Sequence, residues 1–244
     1  MQTNWPKLLS EAVNTPGIIS SAYHSFWNYS LNNQMLASME CRMRGLPLGP
    51  IATFNGWKAK GRYVKKGERA ITLWMPLSYT KKDKDGNDVT HSYFALKPHW
   101  FTISQTDGAP YAEPDIPGWA LDKALTVLGI ERVPYDMIDG NTQAFALANQ
   151  IAISPVAAHP EKSCLHEIAH VLLGHTDPAC VLDKNLKEAE AEATAMLVAD
   201  ALGIPGADES RGYLQSWWGI GNELPAEAAQ RVFAAADKIL KAGR

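Results

Sequence analysis

Cysteine is scarce in this 244-residue chain: Cys41, Cys164 and Cys180 are the only three, and no two fall at a CxxC spacing. A scattered, odd set excludes a disulfide framework and points to a reducing compartment, the cytoplasm. Long apolar runs are missing too. No stretch approaches the roughly 18 uninterrupted apolar residues of a membrane span, so no membrane partner is expected. The opening MQTNWPKLLSEAV lacks a basic region followed by an apolar core, and no secretory leader is read there. Internal repeats are absent, as is any helix-turn-helix or zinc-finger pattern for reading duplex DNA in its grooves. Net charge is also small, at -3.

That small charge hides a split. Residues 1–110 carry 13 Lys and Arg against 7 Asp and Glu, whereas residues 111–244 carry 10 against 19. A basic half joined to an acidic half implies two domains with different partners, and only the basic half is a candidate for nucleic acid. With 46% hydrophobic and 20% charged residues the chain can fill real cores. The expected fold is α+β in two domains: a small mixed α/β domain at 1–107, a linker at 108–118 rich in Pro and Gly, and a second domain at 119–244. A helix is expected over Tyr23–Arg44, then short strands through IATFNGWKAKG and RYVKKGERAITLWMPLSYT, with a hairpin tip at Lys81–Asp88. Beyond the linker the pattern gives a helix at Trp119–Leu128 and strands at Arg132–Tyr135 and Gln143–Ile153. Helices at Lys162–Gly174, Asn185–Leu202 and Ala226–Lys241 follow.

The sharpest local signal is His166-Glu167-Ile168-Ala169-His170, an HExxH. Residues four apart share a helix face, so both imidazoles can meet one ion, and Glu167 sits where it can take a proton from water. Zinc needs a third protein ligand and an open fourth position. Eighteen residues after His170 begins Glu188-Ala-Glu190-Ala-Glu192. Glu188 and Glu192 share a face; one can ligate while the other hydrogen-bonds a ligand imidazole. Glu190 lies about 200° round from Glu188 and reads as a solvated position. His159 and His175 read as surface or as support behind the ligands, and Cys164 as a packed thiol. The donor set suits Zn²⁺, with Mn²⁺ or Co²⁺ as alternatives.

In the basic half, Arg42, Arg44, Lys58, Lys60, Arg62, Lys65, Lys66 and Arg69 are interleaved with Phe54, Trp57 and Tyr63, and only Glu68 opposes them. Cations for phosphates beside aromatic faces for bases make the composition of a binder of single-stranded DNA, with Trp57 and Tyr63 as its rings.

Two resemblances follow from these motifs. The helix carrying HExxH, followed by one carrying Glu with an acid four later, resembles the gluzincin metallopeptidases and the ImmA/IrrE type that acts on regulatory proteins. This implies that His166, His170 and Glu188 hold the metal, with Glu192 behind His166 or His170 and Glu167 as the catalytic base. The strand just ahead of the HExxH helix is where such folds pair an extended peptide. Tyr213 and His175 are the candidates for an added oxyanion donor. TFNGWKAKGRYVKKGERAITLWMPL, preceded by NYSLNNQMLA, resembles the N-terminal domain of ArdC-type antirestriction proteins, in the pattern Trp57, Gly61, Val64, Gly67, Glu68. The family's Glu-Glu-Leu is here Lys187-Glu188-Ala189. The resemblance implies a cytoplasmic protein of mobile elements that binds single-stranded DNA, protects incoming DNA from restriction and carries a zincin-like metallopeptidase domain. Two alternatives stand beside it: a peptidase cleaving a regulatory protein that the basic domain recognises, and a DNA-binding protein with an inactive metal site. The oligomeric state is not legible.

Overall fold

A computed structural model describes residues 4–137, 143–219 and 224–244 of the chain. It begins with two helices. In α1 (Trp5–Asn14), Asn4 caps the start by accepting from the Lys7 amide, and Leu8, Leu9, Ala12 and Val13 are buried. The second, α2 (Ile18–Phe26), buries Ile18, Ile19, Ala22, Tyr23 and Phe26. The single helix expected over Tyr23–Arg44 is in fact two, since α3 (Leu31–Arg44) starts afresh. Its first amide, that of Leu31, donates to the Asp237 carboxylate at 3.0 Å, a partner 206 residues away that no local pattern announces.

The described residues form two compact units: Asn33–Pro114, and Asp115–Arg244 together with residues 4–32. The first two helices therefore fold with the acidic half, whereas the sequence reading placed them in a domain at 1–107. The apolar faces of α1 and α2 cannot be left in water, and they are covered by the helices of that unit.

In the unit Asn33–Pro114, β1 (Ile51–Thr53) leads directly into α4 (Phe54–Ala59). This corrects the strand-like reading of IATFNGWKAKG: the Thr53 hydroxyl accepts from the Gly56 amide and caps a one-and-a-half-turn helix. After β2 (Arg62–Val64) come β3 (Ile71–Lys82) and β4 (Asp88–Thr102), a long antiparallel hairpin paired from Ile71 with Trp100 to Lys82 with Asp88. Its turn is closed by Asp83, whose carboxylate accepts from the amides of Asp85 and Asn87. β1 pairs with the far end of β4, and β5 (Thr106–Gly108) pairs with β2. α3 is fastened to β3 by side chains acting as backbone: Asn33 exchanges two hydrogen bonds with the Trp74 backbone at 2.8 and 2.9 Å, and Glu40 accepts from the Thr72 amide at 2.9 Å.

In the other unit, α5 (Leu121–Leu128) is stopped by Gly129 in a left-handed conformation and leads to β6 (Glu131–Arg132). The single strand expected over Gln143–Ile153 is a hairpin of β7 (Ala144–Leu147) and β8 (Gln150–Ile153). Its turn passes through Ala148 at φ 52°, a conformation sequence patterns assign to Gly or Asn. β8 is central, flanked by parallel β6 and antiparallel β7, so among the described residues β7 is an edge. Helices α6 (Pro160–Leu172), α7 (Lys184–Leu202), α8 (Ala207–Gly219) and α9 (Ala226–Ala242) complete the unit. α7 is buried on every side from Ala189 to Ala199, packed against α2, α6, α8 and α9, which is why it is rich in alanine. No helix among the described residues is long and apolar enough to cross a membrane.

Candidate metal centre and basic surface

Two elements build the centre. α6 carries the HExxH on a body of buried Cys164, Leu165, Ile168 and Ala169, and α7 lies against it. His166 Nε2 and His170 Nε2 stand 3.0 Å apart, and Glu188 Oε2 lies 3.4 Å from the first and 3.7 Å from the second. Ligand bonds of about 2.1 Å in a tetrahedral site require donors about 3.4 Å apart, so this His-His-Glu triangle fits a divalent cation. Of the two acids left open by the helical spacing, Glu188 turns its carboxylate to the metal-facing nitrogens. Glu192 accepts from the back of His166 at Nδ1, 2.7 Å away, and is itself held by Lys162.

The electrostatics follow from this packing. Burial alone would push the His166 pKa down, but the Glu188 and Glu192 carboxylates outweigh it and raise the imidazole to about 9. Hydrogen bonds from His166 and His170 hold Glu188 far below the usual carboxylate range. Burial opposes ionisation of Glu192, yet His166 and Lys162 bring it down to about 2. Glu167 is buried beside the triangle, and burial raises its pKa against the pull of the two imidazoles, the direction a general base needs.

Behind His170 is an arrangement in which the sequence reading gave no place to Glu190 or Arg231 and read His175 as surface or support. His170 Nδ1 is 3.0 Å from His175 Nδ1, and His175 Nε2 is 2.9 Å from Glu190 Oε2. Arg231 on α9 donates to the other oxygen of Glu190. Glu190 is 0% exposed, which corrects its reading as a solvated position. An acid on a helix with no solvent face must be paired, and that signal was present in the apolar run of α7. His175 is likewise buried and committed at both nitrogens, so it cannot be an oxyanion donor. Tyr213, on α8, is partly exposed; burial raises its pKa, and Glu188 and Glu192 push it further up. Cys164 is packed, its thiol pushed up to about 12 by burial. The triangle opens into a cleft of about 880 Å³ bordered by Ala144, Phe145 and Ala146 of the edge strand β7.

The ten residues expected to bind DNA separate into two groups. Trp57 is 0% exposed and its indole N–H donates to the Phe101 carbonyl at 2.8 Å, so it is core and has no face for a base. Arg44 is spent on Glu40 and on the Arg69 and Ala70 carbonyls, Arg62 on Thr106 and Ala109, and Lys65 on the Ser104 carbonyl. The rest of the motif is scaffold as well: Gly61 and Gly67 sit at φ 71° and 88°, and Glu68 accepts from Gln105. Arg42, Lys58, Lys60, Tyr63, Lys66 and Arg69 are exposed. The hairpin adds rings that went unnoticed in the sequence. Tyr79 stacks on its cross-strand partner His91 with centroids 5.2 Å apart, and Tyr93, paired one step along the same face with Leu77, meets Tyr79 edge-on. Tyr79, His91 and Tyr93 are all exposed.

Comparison with known proteins places this geometry. Residues 2–105 match the family model described as the N-terminal domain of anti-restriction factor ArdC, so the ArdC resemblance of that part of the sequence is shown. The whole chain has the fold of an antirestriction protein: the metal-free crystal structure of ArdC from the R388 plasmid covers 99% of this chain and 96% of its own, with a TM-score of 0.58 at 20% identity. The Mn(II)-bound structure of the same plasmid protein gives 0.57 at 20% identity, covering 99% and 98%. No curated protein matches the chain.

Proposed function

We propose that the protein is an antirestriction factor that binds single-stranded DNA through its basic unit and hydrolyses peptide bonds at the His166–His170–Glu188 centre. The observation that carries the peptidase half is the donor triangle with Glu167 beside it, at the floor of a cleft whose wall is β7, a sheet edge among the described residues. A divalent ion there, Zn²⁺ or Mn²⁺, would supply Lewis-acid polarisation of the scissile carbonyl and make water acidic enough to deprotonate at neutral pH. The Mn(II)-bound state of the R388 protein supports a divalent ion in this fold. β7 offers its outer backbone edge to an extended peptide, which aligns the substrate across the site. Glu167, whose buried carboxylate holds a proton more readily than usual, takes one from the attacking water and delivers it to the leaving amine. Glu192 and Lys162 hold the His166 ring in place throughout.

For DNA, the exposed cations Arg42, Lys58, Lys60, Lys66 and Arg69 contact phosphates, and Tyr63, Tyr79 and Tyr93 give bases flat partners. Such binding is tolerant of sequence, because every base has a ring face. The test is fluorescence anisotropy of the intact chain with labelled single-stranded and duplex oligonucleotides over a salt series. Engaging four phosphates gives a slope of about -3 in log affinity against log salt. Preference for the single strand with such a slope is the expected result; no binding at low salt refutes the DNA half and leaves a peptidase whose basic unit recognises protein.

A further inference from the structure

With both imidazoles neutral, the row His170, His175, Glu190, Arg231 has one consistent order of protons, and that order is set by the Glu190 carboxylate. Arginine can only donate, and the Glu190 carboxylate can only accept. His175 Nε2, 2.9 Å from Glu190, must therefore carry its proton there, which leaves a lone pair on Nδ1. His170 Nδ1, 3.0 Å away, must donate to that lone pair. The His170 lone pair is then on Nε2, the nitrogen that faces His166 and Glu188. The backbone holds the row together: the His175 amide donates to the His170 carbonyl at 2.9 Å, folding the turn after α6 back beneath the ligand helix.

We infer that His175, Glu190 and Arg231 are positioning residues that lock His170 in the metal-binding tautomer: the Glu190 carboxylate sets the direction of the protons, and Arg231 on α9 holds its other oxygen. The inference rests on the reading of His166, His170 and Glu188 as the metal ligands. It makes an uncommon prediction about an isosteric change. In Glu190→Gln the amide must keep its oxygen toward Arg231, so its NH₂ faces His175 Nε2. His175 then carries its proton on Nδ1, His170 Nδ1 must accept, and the His170 proton moves to Nε2, against the metal. Removing Arg231 frees the amide to turn its oxygen to His175, which restores the original order. Arg231 is part-exposed, so a leucine there is tolerable.

The experiment measures Zn²⁺ affinity of the full-length protein by chelator competition for wild type, Glu190→Gln, Arg231→Leu, the double variant and His170→Ala, with ¹⁵N-histidine spectra of the metal-free forms. Glu190→Gln should weaken Zn²⁺ binding 10- to 100-fold, roughly the loss that follows removal of a partner behind a ligand. Its spectrum should move the His170 proton from Nδ1 to Nε2. The double variant should bind about tenfold more tightly than Glu190→Gln, an ordering that mere loss of packing would reverse. The inference is overturned by Glu190→Gln binding within about threefold of wild type, by a double variant no tighter than the single, or by an unmoved proton. If Glu190→Gln does not fold, the wild-type spectrum decides: a His170 proton on Nε2 overturns the lock, and one on Nδ1 supports it. Unchanged affinity in His170→Ala would instead remove the metal-site reading itself.

Discussion

Proton and metal compete for the same nitrogen of His166, and the competition can be measured. The perturbation is pH. With Glu188 on one side and Glu192 on the other, the imidazole is raised from its ordinary 6.5 to about 9, a preference for the proton of about 3 kcal/mol. A cation can bind only after that proton leaves. Between pH 7.0 and 8.5 the group is mostly protonated in the metal-free protein, so the apparent Kd should tighten tenfold for each pH unit gained, about 30-fold across the interval. Glu188 contributes nothing to this slope, because it is ionised throughout the range. Calorimetry at pH 7.5 in buffers of different ionisation enthalpy should count close to one proton released per metal bound. Glu192→Gln removes the carboxylate behind Nδ1, lowers the His166 pKa and should flatten the slope and reduce the proton count together. In the metal-free protein the sign is reversed: the His166 contribution to stability is complete below about pH 6.5 and lost as pH rises through about 9. A Kd flat from pH 7.0 to 8.5, or no proton released at pH 7.5, would refute the argument.

Glu167→Gln should leave metal affinity within a few fold, since Glu167 is not among the donors, and lower turnover of a cleaved peptide by roughly 10² to 10⁴; equal turnover in variant and wild type would remove Glu167 as the base. Trp57→Ala should destabilise the protein by about 3–5 kcal/mol, read in a denaturant melt, because a fully buried indole and its hydrogen bond to Phe101 are lost. Tyr79→Ala with Tyr93→Ala should leave that melt nearly unchanged and weaken single-strand affinity with no change in salt slope, since rings carry no charge; an unaltered affinity would take the hairpin out of the binding surface.

The contrast between Trp57 and Tyr79 explains which parts of the molecule the sequence could convey. The HExxH could be read because its chemistry is local: four residues of helix put His166 and His170 on one face, whatever surrounds them. Helix stops at Gly129 and Gly203 are local in the same sense. Burial is not local. Trp57 and Arg62 stand in a basic, aromatic stretch and have the composition of a nucleic-acid contact, yet their partners, Phe101, Thr106 and Ala109, lie more than 40 residues away. Those bonds turn both side chains into scaffold. Tyr79 alternates with Ser78 and Thr80 as in any half-buried strand, and Tyr93 stands between Ser92 and Phe94; only the hairpin's length, with nothing among the described residues packed over its outer part, leaves them in solvent. The same reasoning inverts for Glu190. An acid between alanines reads as a surface position until α7 is enclosed by four helices, and a carboxylate enclosed in that way must find cations or donors. It found His175 and Arg231, so the helix that supplies Glu188 to the cleft also supplies, from its opposite face, the group that orders His170. One buried helix therefore serves both sides of the candidate centre. Any substitution that rotates α7 should disturb ligand and lock at once, a coupling no spacing rule along the sequence could have expressed.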